Sequence, residues 1–554
     1  MRSLTRLAAV AALSILPAVA VSAATLVHNV KGYSMRDGER VSFSALEYDG
    51  GVITAVYADA AAAAASSAAQ RIDGGGATLL PGLIDAHGHV AAYALALSSV
   101  DMTGSGTETE AAARVAQFLD NAPGADGGWI RGHGWNQVLW ASGEFPTRAS
   151  LDAVTGDRPA AFSRVDGHAL WVNSAALRAA GIDRSTPDPE GGQILRDAEG
   201  EPTGVLIDNA MGAVQAAIGE PSVAELETRI ERGLTALGAL GLTAVHDAGI
   251  SARQLQAYRN LQAQGRLPIR AYVMLSVLDP ANDAVLEAGP WTSADGMLSV
   301  RSVKIFSDGA LGSRGAALHE DYSDQPGHRG LLVLDEEALR HHMQRSVAAG
   351  FQANVHAIGD LANTRVLDEF ERLNRDAASR ALRHRIEHAQ ILRPTDIARF
   401  GALDVIASVQ PTHATSDKNM AGDRLGEERL AGAYAWHTLF ESGARLAGGS
   451  DFPVEPAEPF FGLHAAVTRQ DRDGEPPGGW RVGEALSRNQ ALSLFTEDAA
   501  YAGHAERSTG RLEPGYAADF VLVRDDYFSV PRDQLWQNRV LQTVVAGETV
   551  YTAQ

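Results

Sequence analysis

The chain has 554 residues, of which 45% are hydrophobic and 21% charged, with a formal net charge of −21 and no cysteine. The negative charge argues against nucleic acid or an anionic membrane surface as a partner. The lack of thiols excludes disulfides, a thiolate metal site and a cysteine nucleophile, so any metal must bind through nitrogen and oxygen. At about 150 residues per typical domain the length allows roughly three units, or one α/β barrel enlarged by insertions.

The chain opens with MRSLTRLAAVAALSILPAVAVSA. Arg2 and Arg6 precede an apolar run too short to span a bilayer, and small residues then suit cleavage after Ala23. Residues 1–23 are therefore expected to be a secretory signal peptide, with a buried first helix or an anchor as the alternative. The mature protein would be periplasmic or secreted and free of the membrane. ATLVHNV, VSFSALEY and GVITAVYAD then alternate as short strands separated by Gly and Asp turns, the start of a small β domain. The alanine-rich tract from Ala60 to Ala69 is low-complexity, a short helix or a loose connection.

After a turn at Gly74 to Gly76, LLPGLIDAHGHV predicts a strand that ends in His87 and His89. Side chains two apart on a strand share a face, so two imidazoles meet there. H-x-H alone is weak. From about residue 241, short β runs alternate with amphipathic helical stretches, the sign of βαβ units. The runs are GLTAVHDAG, LPIRAYVML, RSVKIFSDG, FQANVHAIGD, HRIEHAQ, VIASVQPTH and RLAGGSDFPV, which with the first strand make eight, the number that closes a β/α barrel. EEALRHHMQRSVAAG is a helix between two of them, with Gly350 near its stop. An insertion of roughly residues 100–230 follows the first barrel strand and holds Trp129, Trp135, Trp140 and Trp171 with the polar stretch RVDGHALWVNS. Such loops build substrate pockets at the C-terminal face of a barrel, although the tryptophans could equally pack a lid. GRLEPGYAADFVLV and VLQTVVAGETVY read as strands that complete the β domain begun near residue 25.

Four further residues fall at or near the ends of predicted barrel strands: Lys304, His356, His388 and Asp451. Each has an ordinary explanation alone: a snorkelling lysine, hydrogen-bonded core histidines, a helix-capping aspartate. A lysine in an apolar strand is costly unless paired, neutralised or modified. Together with His87 and His89 these groups gather at one end of one barrel, which points to a metal.

AHGH, VKIFSDGALGS, VHAIGD, RIEHAQ and GSDFPV together resemble the metal-dependent amidohydrolase superfamily, in particular its YtcJ-like branch, grouped with N-substituted formamide deformylases. The resemblance spans nearly the whole mature chain. It implies a (β/α)8 barrel of residues 81–500, flanked by a composite β-sandwich built from residues 24–80 and 501–554. It also implies one or two divalent ions, usually zinc. His87, His89 and Asp451 would hold the more buried ion, His356 and His388 the second, and Lys304 would bridge both as an N-carboxylated lysine; without that modification a single ion fits better. Carboxylation would turn a costly buried cation into an anionic ligand.

The chemistry expected of that set is hydrolysis of a carbon–nitrogen bond in a non-peptide amide, N-acyl compound or cyclic amide, by a metal-activated hydroxide with Asp451 as general base. Trp135, His168, Asp308, Arg314 and His413 are weaker candidates for contact with a small-molecule substrate. Ester, lactone or phosphotriester hydrolysis is an alternative on the same site, and a non-catalytic periplasmic binding or regulatory protein is another. The exact substrate and the oligomeric state, homo-oligomer included, stay open.

Overall fold

A computed structural model describes residues 24–121, 128–164, 169–189 and 192–554; residues 1–23, where the signal peptide is expected, and His168 lie outside them. Eight parallel strands follow one another round a barrel: β1 (Leu83–Gly88), β2 (Leu242–Ile250), β3 (Arg270–Ser276), β4 (Leu298–Phe306), β5 (Gln352–Ala357), β6 (Arg385–His388), β7 (Ile406–Val409) and β8 (Leu446–Gly448). They are the eight runs picked out in the sequence. β5 is buried at every position, as a parallel strand covered on both faces must be.

β1 and β8 close the ring less regularly, through a parallel bridge between Gly88 and Phe452. The buried Asp85 carboxylate reinforces the seam, accepting the Ser450 N–H, the Ser450 hydroxyl at 2.7 Å and the His87 N–H at 3.0 Å. Gly449 is required here, since a Cβ would lie 2.6 Å from His87 N and 2.7 Å from Asp85 Oδ1. The Asp451 N–H then donates to the His87 carbonyl at 2.7 Å, so the last strand's aspartate is tied to the first strand's histidine.

The helices follow their local signals. Val223–Ala239 starts with a capping box between Ser222 and Glu225. It buries Leu226, Ile230, Leu234 and Leu237, spaced to form one apolar stripe, in the main hydrophobic core. At roughly 1.5–3 kcal/mol per buried aliphatic side chain, that stripe holds the helix in place far more firmly than its intrinsic propensity. Glu336–Ala348 is capped by Asp335, and the chain turns out of it at Gly350, with φ 81°.

A six-stranded sheet joins the two ends of the chain, in the order Glu548–Thr552, Val540–Val545, Phe520–Val523, Thr78–Pro81, Lys31–Arg36, Glu39–Phe43. Thr78–Pro81 leads directly into β1. Of the expected run GRLEPGYAADFVLV only Phe520–Val523 is a strand, while the last run is a hairpin folded at Ala546 and Gly547. A four-stranded sheet holds Thr25–His28 and Gln70–Asp73, and one cluster with Val27, Leu46, Leu79, Phe520 and Val544 packs between the two sheets. Arg270 on β3 makes a two-point ion pair with Asp519, at 2.7 and 3.0 Å, which fastens this region to the barrel.

The insertion carries its own six-stranded sheet, from Val100–Asp101 to Pro202–Asp208, and its own hydrophobic clusters. Among the described residues no helix is long and apolar enough to cross a membrane.

Candidate metal centre

The six residues singled out as ligands come together at the C-terminal mouth of the barrel. His87 Nε2 lies 3.0 Å from Lys304 Nζ and 3.8 Å from Asp451 Oδ1. His89 Nε2 lies 3.2 Å from the same oxygen. The His388 ring packs 4.9 Å from that of His87 and 4.5 Å from that of His356, centroid to centroid. The potential ligand atoms form two triads, His87 with His89 and Asp451, and His388 with His413 and Asp451. The second triad contains His413 where the resemblance implies His356, whose Nε2 is turned to within 3.5 Å of Asp308 Oδ1. His388, Ala389 and Asp451 adopt positive φ, of 79°, 43° and 63°. Such strain, roughly 1–3 kcal/mol per residue, survives where surrounding structure enforces it, and functional sites collect it.

The hydrogen bonds fix the tautomers. His89 Nδ1 faces the Ala248 carbonyl at 2.9 Å, and His388 Nδ1 faces Gln410 Oε1 at 2.8 Å. His87 Nδ1 meets Glu387 Oε2 at 2.5 Å. A ring nitrogen beside an acceptor must carry the proton, so all three imidazoles present a bare Nε2 to the cluster. His413 is the opposite case: its Nδ1 accepts from Gln390 Nε2 at 2.9 Å, so its Nε2 carries the hydrogen into the cavity.

Charges agree with this. Burial, aided by Lys304, pushes His87 down to about 4 and His356 to about 3, so both are neutral at ordinary pH. Burial pushes Lys304 down to about 8, against the pull of Glu387 and Asp451. Asp451 Oδ1 stands 3.2 Å from the bare Nε2 of His89. Asp451 Oδ1, His356 Nε2 and His413 Nε2 are buried without a hydrogen-bond partner. Two acceptors at that separation repel unless a cation lies between them, so the donor set fits a divalent ion.

Behind the ligands is a layer that the sequence reading missed. Arg385 donates to both oxygens of Glu387, at 2.7 and 2.8 Å, and also to His246 Nδ1, Ser408 Oγ and the Ala86 carbonyl. Although burial opposes it, Arg385, His87 and Lys304 hold Glu387 well below its usual range. The arrangement is a carboxylate–histidine pair that orients a ligand. Arg385 and Glu387 stand two apart on β6 and hence on one face, a signal of a buried ion pair that was present in RIEHAQ.

The weaker substrate candidates separate. His413 lines a cavity of about 360 Å³ in front of the cluster, with His89, Lys304, His356, His388 and Asp451. Trp135 does not: it is fully buried in the insertion, its indole N–H donating to the Phe162 carbonyl at 2.8 Å, with Trp140 and Trp171 packed around it. Its size made it core before it could be a contact. Asp308 is likewise occupied, accepting the backbone N–H groups of Ala317, Ile358 and Gly359 at 2.8–3.0 Å, while burial pushes it up to about 7. Arg314 is half-buried and paired with Asp324 at 2.9 Å, outside the cavity lining.

The family model described as "Amidohydrolase family" matches residues 70–551. The chain is 32% identical over 526 residues to the YtcJ amidohydrolase of Bacillus subtilis (strain 168), covering 93% of this chain and 97% of that one. It is 27% identical over 502 residues to the N-substituted formamide deformylase of Arthrobacter pascens, covering 87% and 89%. Among solved structures, an uncharacterized metal-dependent hydrolase of Pyrococcus horikoshii aligns with a TM-score of 0.77 at 27% identity, covering 92% of this chain and 99% of that one. With the barrel, the converging imidazoles and these matches in agreement, the chain belongs to the amidohydrolase family, in its YtcJ-like branch.

Proposed function

We propose that this protein is a zinc-dependent hydrolase of small-molecule amides, cleaving a carbon–nitrogen bond other than a peptide bond. The observation that carries the proposal is the 3.2 Å approach of an Asp451 oxygen to the bare Nε2 of His89, within a cluster of four imidazoles at one barrel mouth. The formamide deformylase relative supports a carbon–nitrogen substrate.

A bound divalent ion supplies Lewis acidity and makes hydroxide available near neutral pH. Asp451 takes a proton from the attacking water and later delivers it to the leaving nitrogen. His413, through its Nε2–H, donates to the oxygen that becomes negative as the carbonyl carbon turns tetrahedral. Glu387 and Gln410 hold His87 and His388 in the tautomers that leave Nε2 free. We read Lys304 as N-carboxylated, which would remove the penalty of its burial and offer an anionic oxygen ligand to a divalent ion. Residues 1–23 act as an export signal cleaved after Ala23, placing the enzyme in the periplasm or outside the cell.

Metal analysis of the purified mature chain is expected to find one to two equivalents of zinc or a similar ion per chain. A metal-free chain that hydrolyses amides at full rate would overturn the proposal. The Asp451→Asn variant is expected to fold and largely keep metal while kcat falls about 10²–10⁴-fold. Unchanged turnover would remove Asp451 as the base. The substrate is best sought among N-acyl amines, N-formyl amines, cyclic ureides, lactones and phosphotriesters. Cleavage confined to the last two would transfer the reaction to ester or phosphotriester chemistry.

A further inference from the structure

The cavity in front of the cluster has two chemically distinct linings. Phe306, Leu311 and Ile358 make part of its wall apolar. Asp417 and Glu455 also line it, and among the described residues neither has a lysine, arginine or histidine within ion-pairing distance. Tyr434 donates its hydroxyl hydrogen to Asp417 Oδ2 at 2.5 Å, and Ser416 donates to Glu455 Oε1 at 2.6 Å, each engaging one oxygen of the carboxylate. Lys418, adjacent in the chain, turns away to Asp471 at 2.6 Å. Among the described residues no arginine lines the cavity, and the one lysine that does, Lys304, is held against His87.

His413 links these carboxylates to the reaction. It stands four residues before Asp417 on the helix Pro411–Asp417, so the two side chains share a face. His413 is 7% exposed, its Nε2 has no partner, and it lies 3.7 Å from Asp451 Oδ2. Asp451 thus turns Oδ1 toward His87 and His89 and Oδ2 toward His413. A nitrogen leaving on the Oδ2 side takes its proton there and carries its substituent along the helix face toward Asp417. Asp417 and Glu455 are both half-buried at the cavity wall, and a cationic substrate group would reach them with charge-assisted hydrogen bonds.

Resting on the amide-hydrolase reading above, we propose that the enzyme selects amides whose amine half ends in a second, protonated amine, which docks on Asp417 and Glu455 while its carbon chain lies on Phe306, Leu311 and Ile358. In the reaction, water's oxygen adds to the acyl carbon, the carbon–nitrogen bond breaks, the nitrogen leaves with the proton that Asp451 took from water, and the acid formed releases water's second proton to solvent, giving a carboxylate and a diamine. Amides that end in a carboxylate are disfavoured by the same two side chains.

The test uses zinc-loaded full-length mature enzyme with three matched substrates: N-acetyl-1,4-diaminobutane, N-pentylacetamide and N-acetyl-5-aminopentanoate. Values of kcat/KM are expected to fall about tenfold or more at each step from cation to neutral to anion. In an Asp417→Asn/Glu455→Gln double variant the cation-over-neutral ratio is expected to approach one. Equal or reversed wild-type values, or an unchanged ratio in the variant, would overturn the proposal while leaving the hydrolase reading intact. If none of the three is cleaved, the hydrolase reading is the one in trouble, and calorimetry still decides the docking site. The wild type should bind 1,4-diaminobutane more tightly than 1-aminopentane and the variant should not; equal binding by the wild type would overturn it. Should the double variant misfold, Glu455→Gln alone, at the less buried carboxylate, is expected to lower the same ratio, and an unchanged ratio would count against docking.

Discussion

Glu387 is the residue whose loss should separate orientation from coordination. In Glu387→Gln the His87 Nδ1–H loses its anionic acceptor, and Arg385 keeps a buried positive charge with half its compensation gone. Affinity for a divalent ion is expected to fall about 10–100-fold by chelator competition, and unfolding stability by about 3–5 kcal/mol in urea. Unchanged affinity would show that His87 is oriented by the barrel alone. His384 offers a pH test remote from the metal. It stacks on Phe370, accepts the Ala353 N–H at 3.1 Å, and is pushed by burial down to about 3. Its native pKa is depressed, so between about 6.5 and 3 the unfolded chain binds a proton that the native chain does not. The stability this group contributes is therefore complete above pH 6.5 and lost as pH falls. His384→Gln should be less stable than wild type at pH 7.5, and the gap should narrow by on the order of 2 kcal/mol at pH 4.5. A constant gap would show that His384 is protonated in the folded state.

Among the elements, the insertion is the one whose tryptophans the structure assigns to a core of their own. Trp135, Trp140 and Trp171 sit where large aromatics could line a specificity pocket, yet they pack on one another with ring centroids 6.3–6.5 Å apart. Trp135→Ala is expected to destabilise the insertion by about 3–5 kcal/mol, read as earlier protease cleavage within residues 100–208, while metal content stays at the wild-type level. Loss of metal instead would mean that the insertion helps to hold the mouth of the barrel. The barrel strands themselves were legible, because runs such as AYVML and VIASV are largely apolar over the length of a strand and are punctuated by Gly, Pro or Asp. β8, only Leu446–Gly448, is the shortest of them. Its position is set by the Asp85–Ser450 bonds and by the space that Gly449 leaves.

For the whole molecule, the meeting of the two chain ends is the feature with the largest consequence. Phe520–Val523 is hydrogen-bonded to Thr78–Pro81, the strand that runs into His87 and His89. Deleting residues 512–554 removes that partner, the Asp519 anchor of Arg270 and part of the cluster around Phe520. The shortened chain is expected to be insoluble, since it exposes the edge of Thr78–Pro81 and a hydrophobic face together. Soluble, metal-binding protein from that deletion would show that the barrel folds without the end sheet.

The amino-acid sequence by itself determined the barrel, its eight strands in order, and the imidazoles, lysine and aspartate at their ends. Those are local properties: apolar runs of strand length, turn residues after them, and polar groups at fixed offsets. Only the tertiary structure decided which polar groups face one another. It placed Glu387 on His87, made braces and core of Asp308 and Trp135, and put His413 beside Asp451 with its N–H pointing inward. The physical reason is that a side chain's role here depends on its partner, and these partners lie up to 300 residues apart in the chain.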